Sequence, residues 1–143
     1  MQLVNVHIEK AWSTHMGVLV RVLAISQGDV VELGAGLFST PLLHWVCKDM
    51  HRKLTSYETD PEYYQYAQQF RSYFHKTVLV KDWDEIDTTT RRSVVLIDHH
   101  SMTRRGVEAI RFKDTADYIV MHDTKLTSYY LDVGQHFKYM YTW

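Results

Sequence analysis

One cysteine, two prolines and six glycines in 143 residues rule out several kinds of protein at once. The single Cys47 excludes an internal disulfide and any metal site built from several thiolates. It falls beside Leu42, Leu43 and Val46 on an apolar helix face, so a buried, inert thiol is expected. No apolar run approaches the ~20 residues that a membrane span requires, and no secretory leader is visible. The expectation is a soluble, cytoplasmic protein without membrane contact. Lys and Arg number 16 against 17 Asp and Glu, a net charge of −1, which argues against nucleic acid as a partner. The arginine doublets, Arg91-Arg92 and Arg104-Arg105, are expected to be solvated loop and helix-end residues. No repeat or linker divides the chain, so residues 1–143 read as a single domain, with 1–13 as an N-terminal arm.

The apolar residues, 45% of the total, fall into alternating blocks. Met16, Leu19, Val20, Leu23 and Ala24 recur at helical spacing over 14–25, and Gln27-Gly28-Asp29 marks a turn after them. Short apolar runs predict strands at 29–33, 54–57, 77–80, 93–97 and 117–121. Helices are expected over 41–50, 61–74 and 102–112. Asp60 before Pro61 is an N-cap followed by proline at the first helical position. The second of these helices is expected to turn Tyr63, Tyr66, Ala67, Phe70 and Phe74 inward, and the third Val107, Ile110 and Phe112. Residues 136–141 are a further strand candidate. Strands alternating with helices, and inner strands that are continuously apolar, predict an α/β fold: a doubly wound, mostly parallel sheet with helices on both faces.

Ligands of such sheets gather at the carboxyl ends of the strands. Those positions hold Gly34-Ala35-Gly36, Glu58, Asp82, Asp98 and Asp123, and a purely structural sheet does not require such residues there. Val30 to Leu43 reads as a buried strand, a glycine turn and a helix start. Ser39 or Thr40 would cap that helix and Pro41 would open it. Free N–H groups are then expected to face an anionic ligand. A bulky residue at Gly34 is expected to block the ligand while sparing the fold.

Glu32-Leu33-Gly34-Ala35-Gly36 resembles the first motif of the class I S-adenosylmethionine-dependent methyltransferases. Leu54 to Glu58 resembles their second, where an acidic strand end takes both ribose hydroxyls. Val80-Lys81-Asp82-Trp83 resembles the third, whose Asp contacts the adenine amino group, and Leu96-Ile97-Asp98 the fourth, which faces the reacting methyl. The resemblance runs from about Thr14 to Tyr141. It implies a Rossmann-like sheet holding S-adenosyl-L-methionine through Glu32, Gly34, Ala35, Gly36, Glu58, Thr59, Asp82, Trp83 and Asp98. A cofactor without a pyrophosphate needs only two close glycines, whereas a dinucleotide fingerprint would place a third where this chain has Ser39. Glu58, twenty-two residues beyond Gly36, suits two vicinal hydroxyls and would also suit NAD.

Val95 to His100, taken with Ile119 to Thr124, is similar to small-molecule O-methyltransferases. That likeness implies methyl transfer to an oxygen of a small molecule or sugar. In metal-dependent members the carboxylates hold a divalent ion, and Asp98 and Asp123 are hard oxygen ligands suited to Mg²⁺, although Thr124 stands where an amide is usual. His100, His99 and Asp98 are the candidate catalytic groups and His122 a second candidate base. The paired histidines are equally read as bonding to neighbouring loops, and Trp83 either stacks on adenine or packs. His15 opens the first helix, where this fold can close over the cofactor. Two alternatives stay open: a degenerate, non-catalytic nucleotide-binding domain, and an NAD-binding oxidoreductase domain. The family usually adds an antiparallel strand pair after the fifth strand. Here the chain reaches Trp143 with one candidate member, as a minimal protein or a fragment. An incomplete pair would leave an open sheet edge, so a homodimer is expected.

Overall fold

The computed structural model describes residues 13–123 and 133–141. Each expected apolar run forms a strand: β1 (Val30–Leu33), β2 (Leu54–Glu58), β3 (His75–Leu79), β4 (Arg92–Ile97) and β5 (Ala116–Met121). All neighbours pair in parallel, in the order β3-β2-β1-β4-β5. The chain works outward from β1 to β3, then crosses back to β4, so the topological switch lies between β1 and β4. β1 is buried along its whole length and β4 nearly so, which is why both are apolar apart from Glu32 in β1 and the Arg92-Ser93 start of β4. At the edges the strands are only partly covered: β3 roughly alternates, and β5 exposes Asp117 and Tyr118 in succession. β3 accordingly starts two residues before its apolar run, at His75.

Four helices cover the sheet: α1 (Met16–Ile25), α2 (Ser39–Asp49), α3 (Pro61–Ala67) and α4 (Arg105–Phe112). Successive strand residues point to opposite faces. Val30, Val94 and Leu96 therefore meet Leu19 and Leu23 of α1 and Leu43 and Cys47 of α2. Val31, Leu33, Val95 and Ile97 meet Ala109 and Phe112 of α4 in a second core. This is the doubly wound, Rossmann-like α/β arrangement expected from the sequence. Burial pushes the Cys47 thiol up to about 11, leaving it protonated and inert.

The departures have local causes. The helix expected over 61–74 ends at Ala67, runs on as a 3₁₀ turn to Phe70 and becomes extended at Arg71. The chain must reverse there to enter β3, and Ser72 closes the reversal by bonding the His75 backbone. In α4, Val107 is 48% exposed rather than buried. The sheet-facing side is instead Arg105, Glu108, Ala109 and Phe112, so two charged residues occupy an inner helix face. The strand expected over 136–141 is absent. Val133–His136 is a 3₁₀ turn, and Tyr139, Met140 and Tyr141 are all solvent-facing, leaving no covered side for a strand to pack. Among the described residues β5 is thus an edge strand. The N-terminal arm, apart from Ser13, and Thr124 lie outside the described residues. No helix among those described is long and apolar enough to cross a membrane.

Candidate functional site

The C-terminal ends of β1, β2, β4 and β5 open onto one cleft of about 480 Å³. Its floor is the glycine turn. Gly34 has φ +97°, and a Cβ there would lie 2.5 Å from the backbone N and Cα of His99. Glycine is therefore required at this position by the backbone after β4, not by a ligand. The expectation that a bulky residue would spare the fold is corrected by that contact. At Gly36 the nearest atom to an added Cβ is Ser39 Oγ, at 3.3 Å.

The turn's N–H groups are not free, contrary to the sequence expectation. Gly34 N–H donates to Tyr57 O (2.9 Å), Ala35 N–H to Glu58 Oε2 (2.8 Å) and Gly36 N–H to Thr40 Oγ1 (2.9 Å). Nor do Ser39 and Thr40 cap α2. Phe38 holds the N-cap position without a side-chain bond, and the Thr40 hydroxyl instead donates down to Glu32. Glu58, almost wholly buried, also accepts Thr59 N–H (2.7 Å) and Asp60 N–H (2.9 Å) on Oε1. Three backbone bonds thus fix its carboxylate against the turn, and Oε2 keeps a further lone pair. Asp60 caps α3 as expected, accepting from Glu62 N–H at 2.8 Å.

Beneath the turn Glu32 is fully buried and ends a polar chain that crosses the core. His44 Nδ1 lies 3.1 Å from His75 Nδ1, His75 Nε2 lies 2.8 Å from Ser56 Oγ, and Ser56 donates to Glu32 Oε2. With the Ser56 hydrogen committed to Glu32, His75 must donate through Nε2 and accept from His44 through Nδ1. Every bond in the chain then points toward Glu32. Burial raises Glu32 to about 7 despite hydroxyl bonds from Ser39, Ser56 and Thr40, and lowers His75 to about 4.

The far wall is a charged cluster around Arg105. Its guanidinium, 5% exposed, meets Asp98 Oδ1 and Asp123 Oδ2, both at 3.2 Å. It also donates to the carbonyls of His99 (2.8 Å) and His122 (3.0 Å). Asp98 Oδ1 accepts from His122 Nδ1 at 3.0 Å, and Thr14 Oγ1 lies 2.8 Å from His122 Nε2. Burial works against the charged form of His122, but the bond to Asp98 and the charges of Asp98 and Asp123 outweigh it and raise its pKa. His15, buried beside them, is lowered chiefly by desolvation, against the pull of Asp98. Arg105 was read from sequence as a solvated member of a doublet. In the structure Arg104 stays partly exposed, bonding Glu108 and the exposed Asp84, whereas Arg105 is buried. The usable signal was helical spacing: Arg105 stands three, four and seven residues before Glu108, Ala109 and Phe112.

The structure gathers Gly34, Ala35, Gly36, Glu58, Asp98 and Asp123 around the cleft, with His100 exposed at its rim. It gives other expected residues different partners. The His99 ring is buried, bonds Glu108 (3.2 Å) and stacks on Trp83 at 4.4 Å. Trp83 packs in the second core, and neither it nor Asp82 lines the cleft. Asp82 caps a 3₁₀ turn through Asp84 N–H and pairs with Arg104 at 3.3 Å. A Mg²⁺ ion between Asp98 and Asp123 does not fit, because the Arg105 guanidinium already bridges the two carboxylates.

No family model matches the sequence, and no curated protein matches it. Among solved structures the chain is similar to a proposed methyltransferase from Thermoplasma acidophilum, at 16% identity and a TM-score of 0.47 over 62% of this chain. The match covers 39% of that chain.

Proposed function

We propose that this cleft binds S-adenosyl-L-methionine and that the protein transfers its methyl group to an oxygen of a small molecule or sugar. One observation carries the reading. A glycine turn and an acidic strand end are bonded together at the tips of β1 and β2, across one cleft from Asp98 at the tip of β4. The volume lies within the roughly 300–1,000 Å³ usual for cofactor sites. Glu58 would hold the ribose, with Thr59 next to it, and the Gly34-Ala35-Gly36 backbone would lie against the cofactor. Glu32 acts from below by holding Thr40, which holds Gly36.

When bound, the cofactor supplies a methyl group activated by a sulfonium sulfur. The chain's own residues align the acceptor and take its proton. Asp98, fixed by His122 and Arg105, places negative charge on the cleft wall. His100, at the solvent-facing rim, is the proton acceptor in this proposal. His99 is a support, since its ring is committed to Glu108 and Trp83. Asp82 and Trp83 have no part in it.

Calorimetric titration with S-adenosylhomocysteine and, separately, with NAD tests the reading. A heat of binding for S-adenosylhomocysteine, weakened at least about tenfold in Glu58→Gln, is expected, because each good hydrogen bond to a charged group contributes about 1.5–3 kcal/mol. Binding of NAD alone would overturn it in favour of an oxidoreductase domain, and no response to either ligand would favour a non-catalytic domain.

A further inference from the structure

The cleft wall holds a donor set of a different character from the carboxylate pair. His15, Asp98 and His122 each offer one ligand atom, and these atoms lie within 4.8 Å of one another. They come from three distant parts of the chain: the residue before α1, the end of β4 and the end of β5. His15 is 2% exposed and lines the cleft, yet among the described residues neither of its ring nitrogens has a hydrogen-bond partner. Its Nδ1 stands 3.9 Å from Asp98 Oδ2, too far for a hydrogen bond. Leaving a buried polar side chain unsatisfied costs about 1–3 kcal/mol, so such a group in a functional cleft calls for a ligand.

We propose that His15, His122 and Asp98 bind a first-row transition ion of the Zn²⁺ or Fe²⁺ class. Two imidazoles and one carboxylate suit such ions, whereas Mg²⁺ prefers an all-oxygen shell. Three protein ligands leave a coordination position facing the cleft, as in metal sites that act on a bound oxygen. The surroundings are arranged for it. With a metal on Nδ1, His122 Nε2–H would donate to Thr14 Oγ1, 2.8 Å away, which would fix the ring with Nδ1 toward Asp98, as outer partners of metal-bound histidines do. Once His122 gives up its extra proton, Asp98 and Asp123 carry two negative charges against the one positive charge of Arg105, which leaves net negative charge for a cation. Binding requires the loss of the proton that His122 Nδ1 shares with Asp98 and a small closure of the three ligands toward bonding distance.

The inference rests on this geometry and not on the methyltransferase reading. The full chain, stripped with a chelator, is titrated with Co²⁺ followed by visible absorption and with Zn²⁺ by calorimetry. One ion per chain is expected, undisturbed by excess Mg²⁺. His15→Gln should weaken binding at least about 100-fold and Thr14→Val about tenfold, by the usual cost of losing a ligand or its outer partner. His51→Gln, on the surface, should bind as the unaltered protein does. Absence of stoichiometric binding, binding that survives His15→Gln, or displacement by Mg²⁺ would each overturn the proposal. If His15→Gln fails to fold, Cu²⁺ bound to the unaltered protein decides: electron paramagnetic resonance should count two imidazole nitrogens, and one or none overturns it. S-adenosylhomocysteine binding, measured on the same samples, separates the two readings. Metal binding without it leaves the ion site standing and removes methyl transfer, and the reverse result does the opposite.

Discussion

Replacing Gly34 with alanine should unsettle the whole protein, and the structure sets the size of the effect. At φ +97° a side chain is strained whatever space surrounds it, at a cost of about 1–2 kcal/mol. The added Cβ would also stand 2.5 Å from His99 N and Cα and 2.8 Å from Asp98 C. These are backbone atoms of the loop that Arg105 anchors, so they cannot rotate aside as a side-chain tip would. Overpacking of this kind costs about 1–3 kcal/mol. The sum, about 2–5 kcal/mol, is a large part of the roughly 5–15 kcal/mol that a domain has in total. Urea unfolding followed by tryptophan fluorescence reads it directly, as a lower midpoint with an unchanged slope. Gly36→Ala is the internal control. Its Cβ would meet only Ser39 Oγ, at 3.3 Å, and should cost under about 1 kcal/mol. Equal effects at the two positions, or a loss below about 1 kcal/mol at Gly34, would refute the claim that the β4 loop dictates glycine there.

Two further outcomes follow from the buried charges. Glu32, raised from 4.5 to about 7, makes the fold less stable as pH rises through that interval, because the folded state keeps a proton that the unfolded chain has released. His75, lowered from 6.5 to about 4, has the opposite sign: stability is lost as pH falls through that interval, since the unfolded chain then binds the extra proton. Each amounts to about 3 kcal/mol over its full range, so the two oppose one another between pH 4.5 and 6.5. Glu32→Gln should unmask the His75 slope, with about 2 kcal/mol more lost than in the unaltered protein between pH 7.5 and pH 5 by urea unfolding. Parallel pH profiles would contradict this. Arg105→Leu should cost about 3–5 kcal/mol, because it strips two carboxylates of their counter-ion, and Arg105→Lys should rescue little, since an ammonium cannot span the same acceptors. A loss below about 1 kcal/mol in chemical denaturation would show the cluster to be ornamental.

The parts of the fold that were legible in the sequence are those with a local cause. β1 and β4 are mostly apolar, Glu32 and Arg92-Ser93 apart, because both faces are covered, and Asp60-Pro61 announces α3 by cap chemistry alone. Strand-end positions likewise located Glu58 and Asp98. What escaped were polar residues whose burial depends on partners far along the chain. His75 sits in the core because Ser56 and His44 receive it, nineteen and thirty-one residues away. Arg105 is inside because four acceptors from two loops converge on it. Nor could the Gly34-Ala35-Gly36 pattern reveal that its N–H groups are already taken, since Tyr57, Glu58 and Thr40 reach them only once the sheet is assembled. The strand expected near the C-terminus failed for the converse reason: apolar side chains mark a strand only where another surface covers them.

The chain from His44 to Glu32 has a direction, and a direction can be reversed only as a whole. Its carboxylate end already receives Ser56 and Thr40, so a proton placed on Glu32 Oε2 along the Ser56 bond puts two hydrogens face to face. Relief requires Ser56 to turn toward His75, His75 to exchange its tautomer, and His44 to give up its own donor role in step. A rotation of one group alone leaves two hydrogens or two lone pairs facing each other, so the four favour turning together between two settings. The Ser56 hydrogen should be correspondingly slow to exchange with solvent, on the timescale of the helix α2 opening that would release His44 rather than of hydroxyl rotation.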